Sequence, residues 1–510
     1  MSEPLRCVSS KSIIVSWDFS TSGVKCLAFD LSGRTVGEVR LPTDIWTEGG
    51  VSELNLMQLE GQARASTRAI TRQLRAQDLL SRWVAGGISA THHSAGRIDQ
   101  DYVQVRRAIC WNDHSLAAYH AKGLERLGGQ EQVIKMIGGP WAIRYTLSHL
   151  VKDEETLAAA DWRRTHRIFP HGPLAAGYLT GNFDVISMSS AASTGIMNLR
   201  TGKWAKGMLN ALANPAYRKL AWEQLPTIGD MNTPLGQLSA SLCQDISMSP
   251  RKAPWIFPTN DDQQAGLAGG GAVDAGQVAV ILGKSAVVNS SSHQLPAIEN
   301  LDAMRLNWGP YLWMRCYNNG AQFLDAIIGE NPNWKELEQA ARRCPPGANG
   351  HLVLPFVQPE PSLGVQKPRL QWLPRQPEDM GTTYRACLEA LAYLMALGVR
   401  AHEEAGQRIT RVTVSGGISR SDLMGEILAS VLGRPLERLQ SEEGPALGAA
   451  LTALAGLESY RRQQKNIQTP FTVADAVAVM VRFRDPVHPH PAWQSAYQKG
   501  LRDFEAKMRT

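Results

Sequence analysis

The chain opens on apolar runs separated by small-residue turns. "SIIVSWDFSTSGVKCLAFDLSGRTVGEVRL" (12–41) is dense in β-branched residues and predicts strand, short turn, strand, tight "LSGR" turn, strand. The period then changes. "LNLMQLEGQARASTRAITRQLRAQDL" (54–79) predicts an amphipathic helix, and "VAGGISA" (84–90) a short strand after it. "AAYHAKGLERLGGQEQVIKMIGG" (117–139) predicts one helical stretch that stops at a glycine pair.

Further on, "CQDISMSPRKAPWIFP" (243–258) is polar and carries Met, Ser and Pro, and is a candidate interdomain boundary. "GQVAVILGKSAVVNSSS" (276–292) then repeats the strand, small-residue turn, strand logic of the N-terminus. The last third predicts a helix over 382–406, a strand over 411–417, a helix over 421–433 and a small-residue helix, "GPALGAALTALAGL", over 444–457. Beyond about Ser459 the pattern is a polar tail of helices. The chain divides into two expected domains, 1–250 and 251–510, each opening on a hairpin.

Composition narrows the function classes. At 510 residues the chain is too long for one compact core. A net charge of +6, with no long run of like charge, suits anionic small molecules and gives no argument for nucleic acid. Seven scattered cysteines, never in a CxxC pair, fit a reducing compartment with thiols acting as small apolar groups. No apolar signal segment opens the chain, and no apolar run reaches the roughly 18 residues of a membrane span. The expectation is a cytoplasmic protein with no membrane partner.

Several short segments have the residue types for chemistry. In "DFSTSGVK", small residues let the backbone approach a ligand, a bent turn points N–H groups at an anion, and Lys25 adds charge. Asp18, at the end of the strand, has the chemistry to hold a metal ion through water. It is no Walker loop, because no GxxxxGK[ST] occurs. In "GISATHHSAG", His92 and His93 follow a buried strand, a common place for substrate contacts. Adjacent histidines on a strand point to opposite faces, so they suit a hydroxylated ligand better than one metal ion. "AICWNDHS" sets Trp111 beside Asn112 and Asp113, as in the wall of a sugar site. "TVSGGISRSDL" ends a strand in glycines before a helix, which permits close approach of a flat ring or a phosphate. Taken singly, each segment is equally a structural turn. The pair Asp261–Asp262 in "TNDDQQAGLAGGG" is equally a polar loop.

Their order is what resembles a known family. The chain is similar to the FGGY carbohydrate kinases, within the group sharing the actin-like ATPase fold. "DFSTSGVK" resembles that family's first phosphate motif, with Ser20 where glycine is usual. "GISATHHSAG" and "AICWNDHS" resemble its sugar-contacting segments, and the WND triplet looks most like xylulokinases. "YLTGNFDVISMSSAASTGIMNLRTGKW" resembles its mid-domain stretch, "DDQQAGLAGG" its catalytic segment and "VILGKSAVV" its second phosphate motif. "RACLEALAY" and "VSGGISRSDLMGEILASVLGRPLE" resemble its adenosine region.

The resemblance implies an α/β fold of two actin-like (ribonuclease H-like) domains with a cleft between them. It implies Mg-ATP as cofactor and a sugar hydroxyl as acceptor, most like D-xylulose to D-xylulose 5-phosphate. Asp262, directly before an amide, falls in the general-base register, and Asp261 in a supporting place. His92, His93, Trp111, Asp113 and Gln263 fall on sugar-side positions. Thr21, Ser22, Lys25, Gly283, Lys284, Gly416, Gly417 and Ser421 fall on nucleotide-side positions, and Asp18 with Asp262 on the Mg2+ side. A homodimer is a common outcome for that family. The chain departs from the pattern at Lys284, where threonine is usual, and at His92, where xylulokinases have methionine. "FVQPEPSLG" and "HGPLAAGYLTG" also match poorly. These departures keep open a kinase for another ketose, polyol or sugar acid, such as ribulose, gluconate or a glycerol-like acceptor. They also keep open a weakly catalytic sugar- or nucleotide-binding protein.

Overall fold

The first apolar runs build a central sheet. In the computed structural model, which describes residues 6–297, 301–329, 332–441 and 443–509, β1 (Ile13–Phe19), β2 (Gly23–Asp30) and β3 (Thr35–Pro42) form an antiparallel meander. Every residue of β1 is buried, Ser16 and Asp18 among them, as expected of a mostly apolar strand covered on both faces. The helix α1 (Leu56–Ala76) starts where Asn55 accepts a hydrogen bond from the Met57 amide. Leu56, Leu59, Ala63, Ile70 and Leu74 form its buried stripe, at the spacing the sequence shows. β4 (Trp83–Ala90) then runs parallel to β1. The sheet continues with β5 (Trp255–Ile256) and β6 (Asn260–Asp261), both parallel to β4, and Gly236–Gln237 lies antiparallel to β5 at its edge. It therefore takes its last strands from beyond residue 250, at the end of and just past the 243–258 stretch.

Straight out of β6 comes α2 (Asp262–Gly269), and then a second sheet. β7 (Gln277–Leu282), β8 (Ala286–Ser292) and β9 (Tyr311–Tyr317) are antiparallel neighbours. β10 (Arg411–Ser415) is parallel to β7, and β11 (Glu437–Arg438) parallel to β10. The spatial order β9-β8-β7-β10-β11 repeats the order β3-β2-β1-β4-β5 of the first sheet. Two such halves are the actin-like arrangement, so the weak repeat in the sequence is a repeat of topology. The helices α3 (Met380–Glu404) and α4 (Asp422–Leu432) belong to the second half. The polar tail includes a short helix, Val473–Met480, and a terminal helix, Gln494–Arg509, whose Tyr497 and Phe504 are buried in the second core.

Two features depart from the sequence expectation. The helical stretch over 117–139 is two helices, Leu116–Arg126 and Gln130–Ile137, because Gly128 and Gly129 both take positive φ between them. A five-stranded sheet is inserted in the first half, with the order Ile45–Glu48, Val51–Leu54, Gln104–Ile109, Ala95–Ile98, Arg167–Pro170. No helix among the described residues is long and apolar enough to cross a membrane. The seven cysteines are all free thiols.

The two halves meet where α5 (Gly444–Gln464) lies between α2 and β4. The contact is backbone to backbone. A Cβ on Gly448 would stand 1.8 Å from the Ala265 carbonyl oxygen, and one on Gly269 1.8 Å from that of Gly444. One on Gly87 of β4 would stand 2.0 Å from that of Ala449. Thr452 of α5 also accepts a 2.9 Å hydrogen bond from the Asn260 amide of β6. Gly448→Ala is therefore expected to destabilise the protein by about 1–3 kcal/mol, the usual cost of overpacking. Gly61→Ala, at an exposed helical position with nothing within 4 Å of the new methyl, is expected to stabilise by about 0.5–1 kcal/mol. Urea unfolding of the two variants checks both signs.

Candidate active site

Strand register gathers the first set of groups at the carboxyl ends of β1, β4 and β6. Asp18 pairs across β2 with Lys25 and lies beside Ser89 of β4. The Ser89 hydroxyl donates to its carboxylate at 2.8 Å. Burial pushes the Asp18 carboxyl up to about 6, against the pull of Ser89 and Lys25, and the nearby carboxylates of Asp262 and Glu443 add to the rise. The hairpin turn is closed by the Ser20 amide and hydroxyl, both donating to the Gly23 carbonyl at 2.9 and 2.8 Å. Thr21 is half-buried in that turn and Ser22 is exposed.

Lys25 does not stand free. Its ammonium donates to Glu443 at 2.7 Å, and Arg40 of β3 donates to the other oxygen of the same carboxylate at 2.5 Å. Burial alone would raise the Glu443 carboxyl, but these two cations hold it below its ordinary range. Glu443 precedes α5, so this cluster ties the turn of the first half to the start of the helix that crosses it.

The loop after β4 carries the two histidines. His93 is fully buried in the left-handed region, with φ 68°. Its Nδ1–H donates to the Ser193 carbonyl at 2.9 Å and its ring stacks on Tyr145 at 4.4 Å. Burial, with His92 beside it, holds its pKa well below the ordinary value, so it is neutral. The His92 ring packs edge-on against His93, centroids 3.7 Å apart, because the positive φ of His93 breaks the strand alternation that would put them on opposite faces. His92 places Nδ1 2.5 Å from the Asp262 carboxylate.

The tandem aspartates have different environments. Asp261 is buried and caps α2, accepting from the Gln264 amide at 2.8 Å, while its own amide donates to the Ser189 hydroxyl. Burial raises its pKa, opposed by His92 and the cap. Asp262 is the first helical residue, and its side chain is 29% exposed, against 11% for His92. The Gln263 amide oxygen accepts from Asn289 of β8 at 3.0 Å, which bridges α2 to the second half.

Two sugar-side positions lie apart from this group. Asp113 is buried against Lys152 at 3.2 Å and accepts from the Ser115 amide and hydroxyl. Trp111 is 43% exposed, and its amide donates to Ser94. Sequence reasoning passed over Arg144, which ion-pairs with Asp302 of the second half and acts electrostatically on His93. It also passed over Ser89, a lone hydroxyl at the end of an apolar strand and the one readable signal among these.

A second set lines a cavity of about 890 Å3 in the second half. Gly283 and Lys284 form the β7–β8 turn, facing Gly417 and Ser421 after β10, with Trp334 and Tyr384 as an aromatic wall, ring centroids 5.9 Å apart. Gly416, just before, has φ 92°, and a Cβ there would stand 2.5 Å from the Leu282 carbonyl oxygen. Ser421 caps α4 by accepting from the Met424 amide. Lys284 is exposed, with no ion-pair partner among the described residues. A glycine turn, an aromatic wall and an unpaired cation together suit a flat base bearing phosphates.

The raised Asp18 pKa has a stability consequence. The folded state holds a proton on this group at pH values where the unfolded chain has lost it, so stability falls as pH rises from about 4 to about 6. Asp18→Asn removes the buried charge and keeps an acceptor for Ser89. It is expected to be more stable than wild type by up to about 3 kcal/mol at pH 7.5, with the gap narrowing as pH falls through about 6. A gap independent of pH in thermal unfolding would contradict the assignment.

Residues 13–269 match the N-terminal domain of the FGGY family of carbohydrate kinases, and residues 334–457 its C-terminal domain. A xylulose kinase of Haemophilus influenzae is 24% identical over 376 residues, covering 72% of this chain and 74% of the relative. The structure of a ligand-bound xylulose kinase from Lactobacillus acidophilus superposes with a TM-score of 0.82 at 18% identity, covering 98% of each chain. A gluconate kinase from the same organism superposes with 0.81 at 18% identity, covering 98% of this chain and 97% of the other. The two structures share the fold across different named substrates. With both domains matched in order along the chain, the protein belongs to the FGGY family of carbohydrate kinases, ATP-dependent phosphotransferases that act on sugars.

Proposed function

We propose that the protein transfers the γ-phosphoryl group of ATP to a ketopentose hydroxyl, D-xylulose first among candidates, with Asp262 as general base. The observation that carries this reading is the contrast within the tandem pair. Asp261 is used in capping α2, whereas Asp262 keeps a partly exposed carboxylate held by His92 at 2.5 Å. A carboxylate so placed takes the proton of a hydroxyl as its oxygen attacks phosphorus, a contribution of roughly 10²–10⁴-fold. The remaining acceleration comes from charge stabilisation and exclusion of water between the halves.

The nucleotide fits the second cavity, base toward Trp334, Gly417 and Ser421 and phosphates toward Gly283, Lys284 and the Thr21–Ser22 turn. Asp18 fits a Mg2+ held through water. It is a buried carboxyl whose neighbouring ammonium, Lys25, is already engaged by Glu443, so a cation there meets an unfilled electrostatic need. Bound there with Asp262 nearby, Mg2+ would neutralise phosphate charge. Sugar contacts fall to His92, His93 and Gln263.

A sugar acid is the second reading. Arg144, within electrostatic reach of His93, offers a guanidinium for a carboxylate, and His92 stands where xylulokinases have methionine.

A coupled ADP-release screen over ketopentoses, hexuloses, polyols and sugar acids separates the readings, with the highest kcat/KM expected on D-xylulose. Asp262→Asn is expected to lower kcat by at least about 10²–10⁴-fold, with nucleotide affinity nearly unchanged by calorimetry. The same loss from Asp261→Asn, with Asp262→Asn active, would move the base by one residue. Lys284→Thr is expected to weaken ATP binding about 2–5-fold, the worth of one exposed ion pair.

A further inference from the structure

We propose that His92, Asp261 and Asp262 form a binding site for a borderline transition dication of the Zn2+ type, different in its donors from the oxygen site for Mg2+ at Asp18. The ligand-capable atoms of the three residues all lie within 4.8 Å of one another. They offer one imidazole nitrogen and two carboxylate oxygens, whose two negative charges balance a dication.

The buried member supplies the independent sign of a missing ligand. One oxygen of Asp261 is fixed by the Gln264 amide at 2.8 Å, and the other is buried with no hydrogen-bond partner. A buried polar atom left so is costly, and a cation between it and His92 would satisfy it. The amide that holds the first oxygen is the kind of outer contact that orients a ligating carboxylate. Asp262, 29% exposed, leaves a coordination position open toward the cleft.

Donor chemistry selects the metal. Mg2+ takes oxygen ligands and keeps its waters, whereas imidazole with carboxylates suits Zn2+ and Co2+. His93 takes no part, because its Nδ1–H is bound to the Ser193 carbonyl and its ring is stacked under Tyr145. A dication on Asp262 lowers the basicity of the carboxylate that would accept the sugar proton, so occupancy is expected to slow turnover. That consequence rests on the proposed role of Asp262, while the binding itself does not.

The test is a Co2+ titration of the full chain after chelator treatment, without sugar or nucleotide, read by visible d–d absorption. One saturating equivalent is expected, displaced by Zn2+ and untouched by excess Mg2+. His92→Gln keeps a hydrogen bond to Asp262 but loses the strong donor. It and Asp261→Asn are each expected to weaken Co2+ by at least about 10–100-fold, the loss seen even for outer-shell changes, with circular dichroism confirming the fold. No saturable band in wild type would overturn the site. So would an unchanged band in folded His92→Gln, or a thiolate-to-cobalt band from Cys316 or another cysteine. Sugar turnover without a cobalt site would sink this proposal alone, and a cobalt site without turnover on any sugar would sink the kinase reading alone.

Discussion

Backbone contact between α5 and its neighbours is the constraint on which the site depends. Because Gly269, Gly448 and Gly87 carry no side chains, a helix from the last third of the chain lies directly on α2 and β4 of the first half. That approach fixes both helix starts at once. α2 begins with the tandem aspartates, and α5 begins just after Glu443. A methyl group at the crossing would move these carboxylates relative to each other and to the hairpin turn that carries Asp18. The crossing lies where the two halves join, so it is also the natural pivot for any closure around a ligand.

Charge is organised around that pivot. Asp18, the tandem Asp261–Asp262 and Glu443 converge from three separate segments, and the cations nearby are unevenly shared among them. Glu443 takes both Lys25 and Arg40 and stays ionised, while Asp18 keeps the Ser89 hydroxyl and a neighbouring ammonium that Glu443 already holds, and is pushed up to about 6. His92 turns its ring nitrogen to Asp262 and leaves Asp261 with an unfilled oxygen. The result is that the buried carboxyls of Asp18 and Asp261 both lie above their ordinary range, which a bound cation would relieve. A nucleotide would enter such a place with its metal.

Local patterns were readable where the information is local. The apolar run of β1, the period of α1 and the hairpin at Gly283–Ser285 all follow from spacing and turn chemistry. The pair Gly128–Gly129 was read past because a single helix reached a second glycine pair, Gly138–Gly139, that served equally well as a stop. The inserted sheet was missed because strands such as Ala95–Ile98 are only four residues long. Within the site, "DDQQ" pointed to a catalytic segment, but nothing in the letters says which aspartate caps the helix. Glu443 and Arg144 were illegible for a different reason. Their partners, Lys25 and Asp302, lie 418 and 158 residues away, and only the folded chain brings them together.

The most direct measurement is a crystal structure of the protein with a non-hydrolysable ATP analogue, Mg2+ and D-xylulose. The account predicts the base against Trp334 and Gly417, the phosphates between the two hairpin turns, and one sugar hydroxyl within about 2.6–3.2 Å of the Asp262 carboxylate, aimed at the γ-phosphorus. A sugar seated with no hydroxyl near Asp262, or a nucleotide bound outside the cavity at Gly283 and Ser421, would contradict it.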